Sequence, residues 1–343
     1  MSEICNESYG NPPRADTPCI AVIIPCYKVA HHVLDVISRI GPEVGWILAV
    51  DDACPEKTGD EIERRCSDPR VRVLRHEANL GVGGAVMTGY RAALALPAKF
   101  IVKLDGDGQM DPELISALCE PLVRGRADYV KGNRFYRVSH VANMPVMRLC
   151  GNAALSFLTK LSSGYWQLFD PTNGFTAIHR ALLAELNFSQ IAKRYFFESD
   201  LLYHLNQLRA VVVEMPMVSR YDGEPSSLRP TRMIWPFLRG NFRNGFRRIF
   251  YSYFLRGFSV ASIELLLGAA LFIFGIVFGA HHWWLAGLEG VPATAGTVML
   301  AALPLILGVQ LLLSWLGFDI ESEPRHPVHT VLNEPLSRRA PSR

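Results

Sequence analysis

The chain has 343 residues, a formal net charge of +3, 49% hydrophobic residues and 20% charged residues. That length admits one large or two ordinary domains, and so small a charge excludes a nucleic-acid role argued from charge alone. The apolar residues concentrate after Phe258, so the composition describes a water-soluble body with an apolar tail and excludes a purely integral protein.

Residues 1–17 are polar and Pro-containing and read as a loose N-terminal tail with no signal peptide. Residues 18–230 carry the body. In it IAVIIP, WILAVDD, VRVLRH, KFIVKLDGD and DYVKG read as strands. Helical patterns run between them over His31 to Ile40, Glu56 to Cys66, Gly83 to Leu96 and Pro112 to Val123. Short apolar runs alternating with helices of this length predict βαβ units and a mostly parallel, Rossmann-like α/β sheet. The seven cysteines (Cys5, Cys19, Cys26, Cys54, Cys66, Cys119, Cys150) are odd in number, lack metal-ligand spacing and read as reduced thiols.

In such a sheet, ligands bind beyond the carboxyl ends of the strands. Acidic residues stand there: Asp51 and Asp52 after the second strand, Asp105 and Asp107 after the fourth. In LDGDGQMDPE, persisting strand alternation would put Asp105 and Asp107 on one side. With the Gln109 amide oxygen they form a hard donor set for Mg²⁺ or Mn²⁺, completed by diphosphate oxygens. An EF-hand would require Gly where Met110 stands, and Pro112 fits the first position of a helix. Asn79 and GVGGA open a helix whose glycines favour close helix–sheet packing over phosphate binding. His326 and His329 read as solvated tail residues.

Residues 231–257 form an Arg- and aromatic-rich lead-in suited to an anionic membrane surface. Two segments, 258–280 and 297–318, are long enough to span a bilayer, since roughly 20 helical residues cross about 30 Å. Glu264, Pro304 and Gln310 within them are expected to face the other helix or a partner. The connecting loop, 281–296, has neither Lys nor Arg, whereas both flanks are Arg-rich, so the body, both termini and the tail 319–343 belong in the cytosol.

IIPCYK (Ile23 to Lys28), VDDAC (Val50 to Cys54), DGDGQMDPE, KGNRF (Lys131 to Phe135), DPTNGF (Asp170 to Phe175) and FFESD (Phe196 to Asp200) together resemble the family 2 glycosyltransferases with a GT-A fold. The likeness is strongest to bacterial polyprenyl-phosphate glycosyltransferases and to dolichyl-phosphate mannose synthases. Lys28 departs from the family's usual Asn, SRYDGEPSSLRP matches R-x-x-G-x-S-K only loosely, and the Q-x-x-R-W signature of processive synthases is absent. The resemblance implies an inverting enzyme of the bacterial inner membrane, moving one sugar from a nucleotide sugar to undecaprenyl phosphate. It also implies a nucleotide pocket of Pro25, Tyr27, Asp51 and Asp52, and a metal held by Asp105, Asp107 and Gln109. Asp170 and Glu198 would contact sugar or acceptor. An anionic acceptor calls for guanidinium forks, and the candidates are Arg134, Arg148 and Arg220, with Arg229 behind them. Membrane lipids, a second copy through the membrane helices, and a flippase or downstream transferase are the implied partners, without nucleic acid. The alternatives are a hydroxyl acceptor (diacylglycerol or a saccharide), with Glu198 as base, or a non-catalytic membrane scaffold.

Overall fold

The structure is a computed structural model and describes residues 19–136, 146–217 and 230–332. Seven strands form one sheet: β1 Ile20–Cys26, β2 Val44–Asp51, β3 Val71–Arg75, β4 Phe100–Lys103, β5 Tyr129–Asn133, β6 Thr176–His179 and β7 Val212–Pro216. Their order is β3-β2-β1-β4-β6-β5-β7. β1 pairs in parallel with β2 and β4, β2 with β3 and β5 with β7, while β6 runs antiparallel between β4 and β5. The expected α/β architecture is present and its sheet is mostly parallel, with β6 as an antiparallel strand that the sequence reading did not include. β6 and β7 were not named from the sequence, because TAIH and VVEMP are short and carry no alternation that separates them from loop.

β1 is apolar throughout because it is buried on both faces, as interior parallel strands are. Helices α1 Val33–Ser38 and α4 Ile115–Val123 cover one face, over a core that includes Val22, Ile24, Val102 and Val130. Helices α2 Thr58–Arg65 and α3 Val82–Leu94 follow β2 and β3 in βαβ fashion. The second core gathers Tyr90 of α3, Ile101, Tyr129, Ile178 and Leu201. Helix α5 spans Val146–Ser163, α6 Arg180–Ala184 and α7 Phe197–Gln207. Asp111 caps a short 3-10 turn at Pro112–Leu114 before α4, its carboxylate accepting from Glu113 N, which is the helix start expected of Asp-Pro.

The chain divides into two compact units, Met1–Gly245 with Pro324–Arg343, and Phe246–Glu323. Helix α8, Pro230–Phe250, is followed by a π-helical turn, Tyr251–Arg256, then α9, Val260–Glu289, α10, Ala295–Glu321, and a short α11, His329–Leu332. α9 and α10 are both long and apolar enough to cross a membrane. α9 outruns the expected first span: His281 to Glu289 are helical, not loop, and the helix stops at Gly290 with φ 66°. No proline interrupts that stretch, and Gly supplies the left-handed stop cheaply.

Within the second unit, Glu264 accepts from Ser314 of the other helix at 2.9 Å, as expected, whereas Gln310 is exposed. A Cβ at Gly308 would come within 2.6 Å of Phe272 N, so small residues let the two backbones meet. Arg248 donates from both terminal nitrogens to Asp319 at 2.7 and 2.9 Å, and the Tyr253 hydroxyl donates to the same carboxylate at 2.7 Å.

Two expectations about the body are corrected. Cys26, Cys54, Cys66 and Cys119 are free thiols, but Cys19 is disulfide-bonded, a pairing that cysteine spacing could not reveal. His329 is not a solvated tail residue. It is 5% exposed, its ring stacks on His179 at 4.2 Å, and Nδ1 lies 2.6 Å from Asp128 Oδ1.

Candidate active site

β1 lies between β2 and β4, so successive connections leave it in opposite directions. The crevice at such a switch point is where open α/β sheets bind ligands. Pro25 and Tyr27 stand at the end of β1, with Tyr27 44% exposed. Lys28 adopts φ 59°, a left-handed conformation in which Asn is several-fold enriched.

Asp51 and Asp52 are buried carboxylates already tied to backbone. Asp51 Oδ1 accepts from Cys54 N at 2.8 Å and Oδ2 from Gly59 N at 2.6 Å, which fixes the start of α2. Asp52 accepts from Leu80 N at 2.8 Å and Gly81 N at 2.7 Å. Its Oδ1 also meets His76 Nδ1 at 2.7 Å, and His76 Nε2 meets Thr88 Oγ1 at 2.8 Å. The N–H groups ahead of α3 thus already face a carboxylate. Gly83 has a packing reason, because a Cβ there would meet Phe197 Cβ at 2.7 Å.

β4 ends at Lys103, so strand alternation does not set the faces of Asp105 and Asp107. Gly106 lies against Ile24, and Gly108 takes φ 78°, turning the chain after the strand. The two carboxylates still come within electrostatic reach: burial, and then Asp105 beside it, push the Asp107 carboxyl above its ordinary range. Gln109 touches Asp107 through its backbone N–H, donated to Oδ1 at 3.0 Å. Among the described residues no three His, Cys, Asp or Glu converge as a metal cluster. A hard cation suits this pair all the same, because it would balance the negative charge that burial, and then Asp105, disfavour at Asp107, and take its remaining oxygens from a diphosphate.

KGNRF and DPTNGF, far apart in sequence, are one constellation in the fold. Arg134 donates Nε and Nη2 to Asp170 at 2.8 and 2.9 Å, a two-point fork, and its backbone N adds a third contact at 3.2 Å. Lys131 Nζ donates to Asn173 O at 2.7 Å. Burial pulls the Lys131 ammonium down to about 8, against the opposing pull of Glu198 and Asp170. Glu214 on β7 accepts from Phe169 N at 2.8 Å, Asp170 N at 2.7 Å and Asn133 Nδ2 at 2.6 Å, and its burial raises its pKa. Asp170 is therefore a clamp partner of Arg134, and Arg134 is paired within the protein.

Glu198 sits in the first turn of α7 and accepts from Lys103 Nζ at 3.4 Å. Asp200 of the same block is buried and structural, accepting from Ala192 N and Asn244 Nδ2, each at 2.7 Å. Arg148 lies in α5, but its side chain, like all of Arg220 and Arg229, falls outside the described residues. Sequence reasoning missed Lys103, Lys131, His76 and Glu214. A lysine inside an otherwise apolar strand was the available signal, since a buried ammonium must find carboxylate or carbonyl partners.

Sheet order and switch-point carboxylates define a Rossmann-like α/β domain of the GT-A kind. The chain belongs to glycosyl transferase family 2, whose sequence model matches residues 21–186. It is therefore a glycosyltransferase. It is 30% identical over 232 residues to the UDP-N-acetylglucosamine–dolichyl-phosphate N-acetylglucosaminyltransferase of Methanococcus voltae, covering 64% of this chain and 92% of that one. It is 31% identical to the undecaprenyl-phosphate mannosyltransferase of Micrococcus luteus, over 60% of this chain and 86% of that one. Among solved structures, glucosyl-3-phosphoglycerate synthase from Mycobacterium tuberculosis, in complex with Mn²⁺ and UDP-glucose, superposes with TM-score 0.49 at 20% identity, over 67% of this chain and 79% of that one.

Proposed function

We propose that this glycosyltransferase moves one sugar, with inversion, from a nucleotide-sugar donor to a polyprenyl phosphate at the cytosolic face of a membrane. The observation that carries the reading is the placement of Asp105 and Asp107 just beyond β4, at the switch point of the sheet, where burial and then Asp105 push the Asp107 carboxyl up. Mg²⁺ or Mn²⁺ held there by Asp105, Asp107 and Gln109 would neutralise charge on the departing nucleoside diphosphate. Pro25 and Tyr27 would flank the nucleotide. Asp51 and Asp52 would shape its pocket by fixing the two loops that border it, while keeping lone pairs free for base and ribose. The Arg134–Asp170 clamp would orient sugar or acceptor. A phosphate monoester is already anionic near neutral pH, its second pKa being about 6, so it requires positioning rather than deprotonation.

The acceptor assignment is supported by the names of the curated relatives, which act on dolichyl or undecaprenyl phosphate. The apolar helices α9 and α10 supply a means of reaching such a lipid. Their Lys- and Arg-free connection and Arg-rich flanks would keep the body and both ends in the cytosol, at a bacterial inner membrane. The lead-in would lie on anionic lipids, and the two helices could pair with a second copy. The product would pass to a flippase and a downstream transferase.

One observation favours a hydroxyl acceptor instead. Glu198, a carboxylate held by Lys103 beside Asp105, is where a base would stand. Membership in a family of transferases leaves the scaffold reading without support. The full chain in detergent, supplied with Mn²⁺ and a panel of UDP- and GDP-sugars, separates the two acceptors. Undecaprenyl phosphate should yield a labelled lipid product and diacylglycerol none; a product on diacylglycerol alone overturns the phosphate reading. Glu198→Gln should abolish turnover only if a hydroxyl must lose its proton. Asp107→Ala should lower turnover by about 100-fold or more, and undiminished turnover removes the metal assignment.

A further inference from the structure

Lys103 is the last residue of β4, and its side chain is almost wholly buried, the residue being 1% exposed. Its Nζ lies 2.9 Å from Asp105 Oδ1 and 3.4 Å from Glu198 Oε1, so one ammonium bridges two carboxylates from different parts of the chain. Gly174 is shaped to this contact. A Cβ there would collide with both Lys103 Nζ and the Asp105 carboxylate as they stand. Thr176, two residues on, lies opposite Lys103 in the β4–β6 register, so DPTNGF closes directly over the lysine.

Resting on the metal reading of Asp105 and Asp107, we propose that Lys103 is a positioning residue that neutralises Asp105, so that a divalent cation binds firmly only together with a nucleoside diphosphate. Like charges repel, and an ammonium in contact with a ligand oxygen weakens that oxygen's hold on a cation. Freed of it, the full charge of Asp105 beside Asp107 would hold Mg²⁺ or Mn²⁺ more firmly without a donor. With Lys103 in place, the missing negative oxygens come from the diphosphate, and the hold on the cation relaxes when the diphosphate leaves. Lys103 contacts no substrate; it acts through Asp105.

The test is a Mn²⁺ titration of the full-length protein, following the free-ion electron paramagnetic resonance signal with and without UDP. Wild type should bind Mn²⁺ weakly alone and more tightly with UDP. Lys103→Met should bind Mn²⁺ alone about tenfold or more tightly, with most of the UDP dependence gone. Lys103→Gln, which keeps a polar donor in the strand, repeats the test should the methionine protein fail to fold. Adding Asp105→Asn to either variant should reverse the gain. A role confined to packing lowers the melting temperature without raising Mn²⁺ affinity, and that result overturns the proposal. Unchanged or weaker Mn²⁺ binding in the Lys103 variants, with wild type still binding Mn²⁺ and UDP together, overturns this inference alone. Wild type that fails to bind Mn²⁺ even with UDP overturns the metal reading and this inference with it.

Discussion

Asp128→Asn is expected to destabilise the catalytic body through the C-terminal segment. The Asp128 carboxylate is fully buried and accepts four N–H groups. Oδ2 takes Val211 N at 2.7 Å and Val328 N at 2.9 Å, while Oδ1 takes His329 N at 2.8 Å and His329 Nδ1 at 2.6 Å. Burial works against the charged carboxylate, but these donors outweigh it and hold its pKa below the ordinary value. An asparagine keeps the shape and loses half the function, because one oxygen can serve two donors while its NH₂ opposes the other two. Two buried donors left without an acceptor cost about 1–3 kcal/mol each, so the loss should be about 2–6 kcal/mol. In a body of this size about 2–4 °C follows each kcal/mol, giving a melting temperature lower by roughly 10 °C. Intrinsic-fluorescence melts of the detergent-purified chain measure it. His329→Ala should lose less, and the double variant should fall short of the sum, since both act on one contact. A melting temperature within about 2 °C of wild type for Asp128→Asn, or strict additivity in the double variant, would refute the reasoning.

Stability should also fall on mild acidification. Burial, and then His329 stacked against it, lower His179 from 6.5 to about 4. The folded state therefore refuses a proton that the unfolded chain accepts near 6.5. The contribution is complete above that pH and is lost as pH drops from about 6.5 towards 4, worth about 2 kcal/mol by pH 5. Melts at pH 7.5 and 5.0 should show the slope, and His179→Gln should flatten it. Arg134→Met should lower kcat/KM by about 10-fold or more and cost about 3 kcal/mol of stability, because Asp170 is left buried without its fork. Arg134→Met combined with Asp170→Asn should recover the stability but not the turnover, which separates the clamp's structural part from its catalytic part.

The sequence by itself determined the local pieces of this protein. Apolar runs bounded by helical patterns located β1 to β5, Asp-Pro placed the start of the helix after Met110, and unbroken apolar stretches located α9 and α10. These signals are carried by neighbours a few residues apart, so periodicity and capping reveal them. The motifs also singled out Asp105, Asp107, Asp170 and Glu198 before any fold was known. Tertiary structure alone decided what those residues touch. Arg134, read as a free fork for phosphate, spends that fork on Asp170, 36 residues away. Lys103 bridges to Glu198 across 95 residues of chain, and His329 reaches Asp128 across 201. A buried charge announces that it needs a partner but not which one, because that choice depends on strand order and on the crossing of β6 between β4 and β5.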